Sequence, residues 1–313
     1  MDWENVDWKA LARLRAAFLD GAAGAQDYWR SDRDLESYDL TFGQRILWKW
    51  QYVLNEIKGR GWLPPRGDVV DWGCGSGIAG RAFLEHFGQE SSSKLILWDR
   101  SPLAMQLAAR KARETFPAIN VWLDKPPDCA FGTLLISHVL TELADSQTEE
   151  LFALMVHAAA VIWVEPGTYD VSRRLIAARE RLRGVFHVVS PCTHQAACGM
   201  LTPENERHWC HHFALSPPEV FTDGNWARFA KLAGVDLRSL PLSFLVLDKR
   251  LPPRSDAVRV IGRPRVYKAH ALLLGCDSSG VSEHRITKRE QPEAFRRFKK
   301  GRFAPYLPGL GER

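Results

Sequence analysis

The chain has 313 residues, 45% of them apolar and 25% charged, and carries a formal net charge of +5. That is ample for one large or two modest domains of ordinary soluble composition. No apolar run approaches the roughly 18 residues of a membrane-spanning helix; the nearest, Phe152–Val164, contains His157. The first residues, Asp2-Trp3-Glu4-Asn5-Val6-Asp7, read as neither secretory signal nor transit peptide, and the six cysteines then read as reduced thiols. A cytoplasmic monomer with no membrane partner is the expectation.

Helices are predicted first. Leu11, Leu14 and Phe18 share one face, and a second segment over Phe42–Ile57 turns Trp48 and Leu54 inward. Gly59-Arg60-Gly61 and Pro64-Pro65 then interrupt the chain. Strand and helix alternate from there: strand Asp68–Trp72, helix Ile78–Phe87, strand Leu95–Trp98, and a helix from Ser101-Pro102 to Thr115. A short strand, Asn120–Leu123, precedes the strand Thr133–Ser137. Ser146-x-x-Glu149 predicts a capping box for a helix to about residue 158. Strand Val161–Glu165 and helix Ser172–Arg183 close the series. Such alternation is the pattern of an α/β fold, a parallel sheet with helices on both faces.

At Ser190 the alternation stops. Residues 190–225 hold Cys192, Cys198 and Cys210, four histidines (His194, His208, His211, His212) and Pro217-Pro218, an irregular insertion that needs something to tie it together. Strands return at Leu242–Asp248, Val258–Ile261 and Val266–Gly275, and the basic segment after Val281 is expected to be loosely ordered alone. The resulting division is 1–62 helical, 63–189 cofactor-binding core, 190–225 insertion, 226–281 sheet-completing strands and 282–313 basic tail.

Asp71-Trp72-Gly73-Cys74-Gly75-Ser76-Gly77 is a glycine turn between a strand and a helix start, where backbone amides can approach a ligand closely. Gly75-Ser76-Gly77-Ile78-Ala79-Gly80 also matches the dinucleotide pattern G-x-G-x-x-G. Asp71, two residues before the first glycine, and Asp99, ending the next strand where a carboxylate can accept ribose hydroxyls, favour S-adenosylmethionine (SAM). A dinucleotide or a vestigial site stays open. Asp124 could reach an adenine amine or cap a turn, and Cys74 reads as a packing residue. His138 and Glu165 are candidate catalytic groups or simply pocket and turn residues. The stretch after the fourth strand, Ser137-His138-Val139-Leu140, lacks the Asn/Asp-Pro-Pro-aromatic turn frequent in amino methyltransferases of bases.

Cys192, Cys198, Cys210 and Cys276 are enough for a structural zinc or an iron–sulfur cluster, and spacing alone does not separate the two. His194, His211 and His212 offer nitrogen ligands to zinc, and ordinary buried thiols are the plain alternative. Positive charge concentrates late in the chain. Arg285, Lys288, Arg289, Arg296, Arg297, Lys299, Lys300 and Arg302 are opposed there by Glu290 and Glu293, which suits a polyanion such as RNA. Phe295, Phe298, Phe303 and Tyr306 interleave with these cations as candidate base-stacking groups.

With Asp71-x-Gly73-x-Gly75-x-Gly77, Pro191-Cys192-Thr193-His194 through Cys198, Trp209-Cys210-His211-His212-Phe213 and Leu274-Gly275-Cys276 in hand, the chain resembles the methyltransferase-like small-ribosomal-subunit proteins of mitochondria and bacteria over roughly residues 30–290. The resemblance implies a Rossmann-like class I methyltransferase sheet with an N-terminal helical extension and a cysteine-rich metal-binding insertion. It further implies SAM near Asp71, Gly73, Gly75, Gly77 and Asp99, a [4Fe–4S] cluster on Cys192, Cys198, Cys210 and Cys276, and small-subunit ribosomal RNA or a pre-ribosomal particle as partner. Thr193 and Gly199 stand where that family commonly has prolines. Methyl transfer to ribosomal RNA is the leading expectation. A non-catalytic SAM-binding assembly factor, or a zinc-containing methyltransferase of a protein or small molecule, is the alternative.

Overall fold

A computed structural model describes residues 3–19, 28–253, 255–301 and 304–307. In chain order the elements are α1 (Trp8–Leu19), α2 (Asp32–Asp39), α3 (Phe42–Gly59), β1 (Val69–Trp72), α4 (Ile78–Phe87), β2 (Leu95–Trp98), α5 (Pro102–Thr115), β3 (Val121–Leu123), β4 (Phe131–Ser137), α6 (Asp145–Met155) and β5 (Ala158–Pro166). They continue with α7 (Tyr169–Leu182), β6 (His187–Ser190), β7 (His212–Ala214), α8 (Gly224–Ala233), β8 (Leu240–Asp248), β9 (Val258–Val266), β10 (His270–Asp277), β11 (Gly280–Thr287), α9 (Pro292–Lys299) and β12 (Tyr306–Leu307). Two compact units result, one of residues 1–165 and 214–240, the other of 166–213 and 241–313. No helix among the described residues is long and apolar enough to cross a membrane.

In the first unit β3, β2, β1, β4 and β5 lie side by side in that order, every pair parallel. This is the strand order of a Rossmann-like α/β sheet. Val69, Val70 and Asp71 are almost wholly enclosed, as a central parallel strand requires, and β-branched or aromatic residues suit that position. Helix α4 packs on β1 and β4, and α5 on β2 and β3. The parallel register places Trp72 opposite both Trp98 and Ile136, so the ends of β1, β2 and β4 finish level at one edge of the sheet. Sheets of this kind bind ligands at that carboxyl edge.

Helix α3 presents Lys49, Trp50, Val53, Leu54 and Ile57 as its buried stripe, whereas Trp48 is only partly buried. A separate core joins Val6, Leu11 and Phe42 to Trp226 and Phe229 of α8. Each large side chain enclosed in this way contributes about 1.5–3 kcal/mol. Helix α6 departs from the expected cap: its first residue is Asp145, and the Ala144 amide donates to Gln147 Oε1 at 3.0 Å in place of a Ser146–Glu149 box.

The second unit pairs β6 antiparallel to β8 and builds a four-stranded antiparallel sheet ordered β11-β10-β9-β12. Here the expectations for the late chain are corrected twice. The single strand expected over Val266–Gly275 is the junction of two, because the chain turns between Val266 and His270, where the Tyr267 amide donates to the His270 carbonyl at 2.8 Å. Residues 282–301 are ordered: β11 pairs with β10 along its whole length, and α9 follows. Phe295 and Phe298, one helical turn apart, bury themselves against Val260, Ala271, Leu273 and Ile286. Those aromatics anchor the helix and are not free to stack on bases. Arg302 and Phe303 lie outside the described residues.

Candidate functional site

The turn after β1 owes its shape to backbone conformations that side chains resist. Gly73, Gly75 and Gly77 have φ of +67°, +51° and +77°, and a Cβ on Gly77 would stand 2.8 Å from Ala108 Cβ. Asp71 turns toward the start of α4. It is fully buried, and its Oδ2 accepts from the Gly80 amide at 2.8 Å, locking α4 to the strand. Burial raises its pKa to about 7. Asp99 spans the turn from β2, with Oδ2 accepting from the Gly75 amide at 2.9 Å and Oδ1 from the Ser101 amide at 2.9 Å.

These residues open into a cavity of about 140 Å³. Gly73, Gly75, Asp99 and the stacked pair Trp72 and Trp98 (centroids 5.1 Å apart, planes 24° apart) form one part of its wall. Tyr28, Trp29, Tyr38, Arg100, His138, Glu142 and Gln147 form much of the rest. A ligand with a planar ring and hydroxyl groups fits this donor and acceptor set. Of the sequence candidates, Gly73, Gly75 and Asp99 share the cavity wall; Gly77 caps α4 beneath it, and Asp124 is exposed and outside it.

His138 follows β4 and lines the cavity. Its φ of +56° is rare for a residue with a side chain. The turn it belongs to is gripped from behind by Glu165, whose Oε1 accepts from the Val139 and Leu140 amides (3.0 and 3.2 Å) and from Trp163 Nε1 (2.8 Å). Complete burial lifts the Glu165 carboxyl to about 7, with those three donors pulling the other way. Glu165 therefore shapes the turn and does not line the cavity. Burial also raises Glu142 to about 7, against the neighbouring Arg100. Several of the wall groups went unread in the sequence: Tyr28, Tyr38, Glu142 and, behind the wall, Lys49. A lysine in the apolar stripe of α3, in phase with Val53 and Ile57, was the signal for the last.

In the second unit Cys192, Cys198, Cys210 and Cys276 lie within electrostatic reach of one another. Three of them line a cavity of about 30 Å³ with Arg179, Ile176 and Phe244, and Cys276 packs beside it with Ile176, Met200 and Ile261. Burial, reinforced by neighbouring thiols, pushes Cys198, Cys210 and Cys276 upward, so as free groups they are thiols at neutral pH. Burial works against the charge of Arg179, but Cys192, Cys198 and the Glu180 carboxylate with which it forms an ion pair together hold its pKa up. Two thiols have an imidazole neighbour, His194 Nε2 at 3.4 Å from Cys276 Sγ and His212 Nε2 at 3.6 Å from Cys210 Sγ. His211 turns instead to the Trp209 ring and carbonyl. Among the described residues no group of three or more donor side chains is closed to coordinating distance. The chemistry of the set, four soft donors around buried guanidinium, nonetheless fits a thiolate-bound centre.

Arg285 is exposed on β11, Lys288 and Arg289 in the turn beyond it, and Arg296, Arg297, Lys299 and Lys300 on or at the end of α9. Because Phe295 and Phe298 face inward, the helix directs its cations to solvent. Tyr306 pairs in β12 and its hydroxyl accepts from buried Arg259.

Residues 51–308 match the family described as mitochondrial small ribosomal subunit Rsm22. The chain belongs to that family. No curated protein matches it. Looser likenesses reach solved methyltransferases. Magnesium protoporphyrin IX methyltransferase from Synechocystis, with bound S-adenosylhomocysteine, is 11% identical over 77% of this chain and 100% of that one, at a TM-score of 0.39. M. capricolum TrmK with S-adenosylhomocysteine is 7% identical over 64% and 69%, at 0.34. A SAM-dependent methyltransferase from Aquifex aeolicus is 17% identical over 44% and 73%, also at 0.34.

Proposed function

We propose that this Rsm22-family chain binds SAM in the first unit and methylates RNA of the small ribosomal subunit, with the second unit carrying an iron–sulfur cluster. The observation that carries the first part is the cradle at the carboxyl edge of β1, β2 and β4. Three left-handed glycines and the Asp99 carboxylate there adjoin a cavity with aromatic and titratable walls. Gly73, Gly75 and Asp99 would hold SAM, and Trp72 or Trp98 would flank its ring. The cofactor supplies an activated methyl group; the protein supplies position and a place for a proton.

For the second part, Cys192, Cys198, Cys210 and Cys276 would be the ligands. Arg179 sits where it offsets thiolate charge, and a cluster would convert the loop over residues 190–213 into a folded element, since binding energy of such a centre appears as folding energy. Zinc on the same thiols is the competing occupant. The cations of β11 and α9 suit the phosphates of ribosomal RNA.

The absence of an amino-methyltransferase turn after β4 favours a second reading, a SAM-binding assembly factor that transfers nothing. One experiment separates these readings. Anaerobically purified protein is titrated with SAM, then incubated with labelled SAM and immature small-subunit particles, and the labelled nucleotide is mapped. Micromolar binding with label in RNA is expected. Binding without label leaves the assembly factor; absence of binding ends both. Iron, sulfide and zinc content of the same sample decides the metal.

A further inference from the structure

Behind the cavity wall lies a polar pair that no step described so far uses. Lys49 sits on the buried stripe of α3 and is 7% exposed, and its Nζ is 3.1 Å from His138 Nε2. The imidazole's other nitrogen, Nδ1, is 3.4 Å from Ser137 Oγ, which itself accepts from Trp50 Nε1 at 2.9 Å. Ser137 and His138 line the cavity, whereas Lys49 stands behind them. The β1–β4 register sets this turn directly beside the glycine cradle, where a Cβ on Gly73 would come within 2.9 Å of Val139 Cγ1. A buried, unpaired ammonium is costly, and so is a left-handed histidine; both persist here at one spot next to a cofactor cradle.

We propose that His138 is the proton acceptor for a protic methyl acceptor, an N–H or O–H group, and that Lys49 is its positioning residue and the final holder of that proton. This rests on the SAM reading above. With SAM bound, the acceptor's lone pair forms the new bond to the methyl carbon as the carbon–sulfur bond breaks and its electrons return to sulfur. The acceptor's proton passes to His138 Nδ1, the Nε2 proton passes to the neutral Lys49 amine, and the positive charge ends on Lys49. The surroundings favour that order. Burial lowers Lys49 to about 7, with Arg45 adding to the effect and Glu165 opposing it. Burial, then Lys49 and Arg45, hold His138 well below the ordinary imidazole range, so both groups begin neutral at mildly alkaline pH. The other titratable groups on this wall are Tyr28, Tyr38, Cys74, Asp99, Glu150 and Glu142, the last opposed by Arg100. Glu142 and Glu150 put carboxyl groups on the cavity wall, matching a substrate that brings N–H or O–H donors.

The test uses the full chain and two variants. Asparagine tolerates the left-handed region, so H138N removes the base while keeping the turn. K49M keeps the length of the side chain without its nitrogen. SAM affinity by calorimetry, methyl transfer to immature small-subunit particles across pH 6–9, and the ¹⁵N signals of the His138 ring are measured. We expect H138N to bind SAM within about threefold of the parent and to lose transfer by roughly 100-fold or more. K49M should lose the rise in rate that the parent shows through pH about 7, and in its spectra the step in the His138 signals near that pH should vanish. Digestion to nucleosides should find the label on nitrogen or ribose oxygen. Label on carbon, a parent-like rate in H138N, an unchanged pH profile and ring spectrum in K49M, or SAM binding without transfer in the parent would each overturn the assignment. Absence of SAM binding in the parent would instead overturn the reading beneath it.

Discussion

The glycine cradle of the first unit and the thiol pocket of the second are assembled in opposite ways. In the first unit, five consecutive positions, Gly73 to Gly77, make most of a cradle whose form is already present in the backbone. In the second, four thiols arrive from separate segments, the loop after β6, the run before β7 and the strand β10. They lie close without closing on a common point. A contiguous turn needs only permissive residues and a register to hold it. A dispersed set of buried thiols needs a partner for its sulfurs, or it is merely a soft patch of core. The first pocket should therefore withstand loss of its ligand, and the second should not.

The largest effect tests that contrast directly. Replacing Cys192, Cys198, Cys210 and Cys276 together by serine should abolish bound metal and remove the second unit's unfolding transition, while SAM affinity changes by less than about threefold. Calorimetric scans beside metal analysis measure both. Loss of SAM binding with an intact second transition would reverse the contrast. Next in size is Arg179→Leu. Removing a buried cation from beside thiolates should cost about 3 kcal/mol in chemical denaturation, by the usual price of an uncompensated buried charge. If the thiols bind nothing and stay protonated, only the Glu180 ion pair and the bond to the Ala196 carbonyl are lost, and the cost falls to about 1 kcal/mol.

Gly77→Ala should cost about 1–3 kcal/mol and lower SAM affinity, because the residue is left-handed and its Cβ would meet Ala108. Metal content should be untouched. A pH effect follows in order. Glu165 has a folded pKa of about 7 against an ordinary 4.5, so its contribution is fully present below 4.5 and is lost as pH rises through 7. Glu165→Gln should therefore flatten the decline of stability between pH 5 and 8 by roughly 1–3 kcal/mol, measured by urea melts at both ends. The smallest change in stability belongs to exposed Arg296 and Arg297. Reversing both to glutamate should leave melting within about 0.5 kcal/mol. It should weaken binding to small-subunit RNA, with the salt slope falling by roughly one per lost phosphate contact. An unchanged slope would place the RNA contact elsewhere.

Local pattern carried the first unit far. Valines before an Asp-x-Gly-x-Gly-x-Gly turn, a proline at the first position of α5 and apolar phase along α3 each encode an element through its own nearest neighbours. The same reasoning marked Asp71 as a cofactor contact, yet the carboxylate turns back to the Gly80 amide, because the choice between ligand and helix start depends on where α4 packs. It took the basic segment for a loose tail, since charges dominate composition there. Phe295 and Phe298 order that helix through residues of β9, β10 and β11.

By itself, then, the amino-acid order determined the alternating α/β chain, the left-handed glycine turn and the presence of four late thiols, all properties of short spans and residue type. Tertiary structure alone decided that Lys49 meets His138 and that Arg179 meets the cysteine sulfurs. Both are encounters between side chains distant in the chain. No local pattern records them, because burial, which makes each charge matter, exists only once the elements have packed.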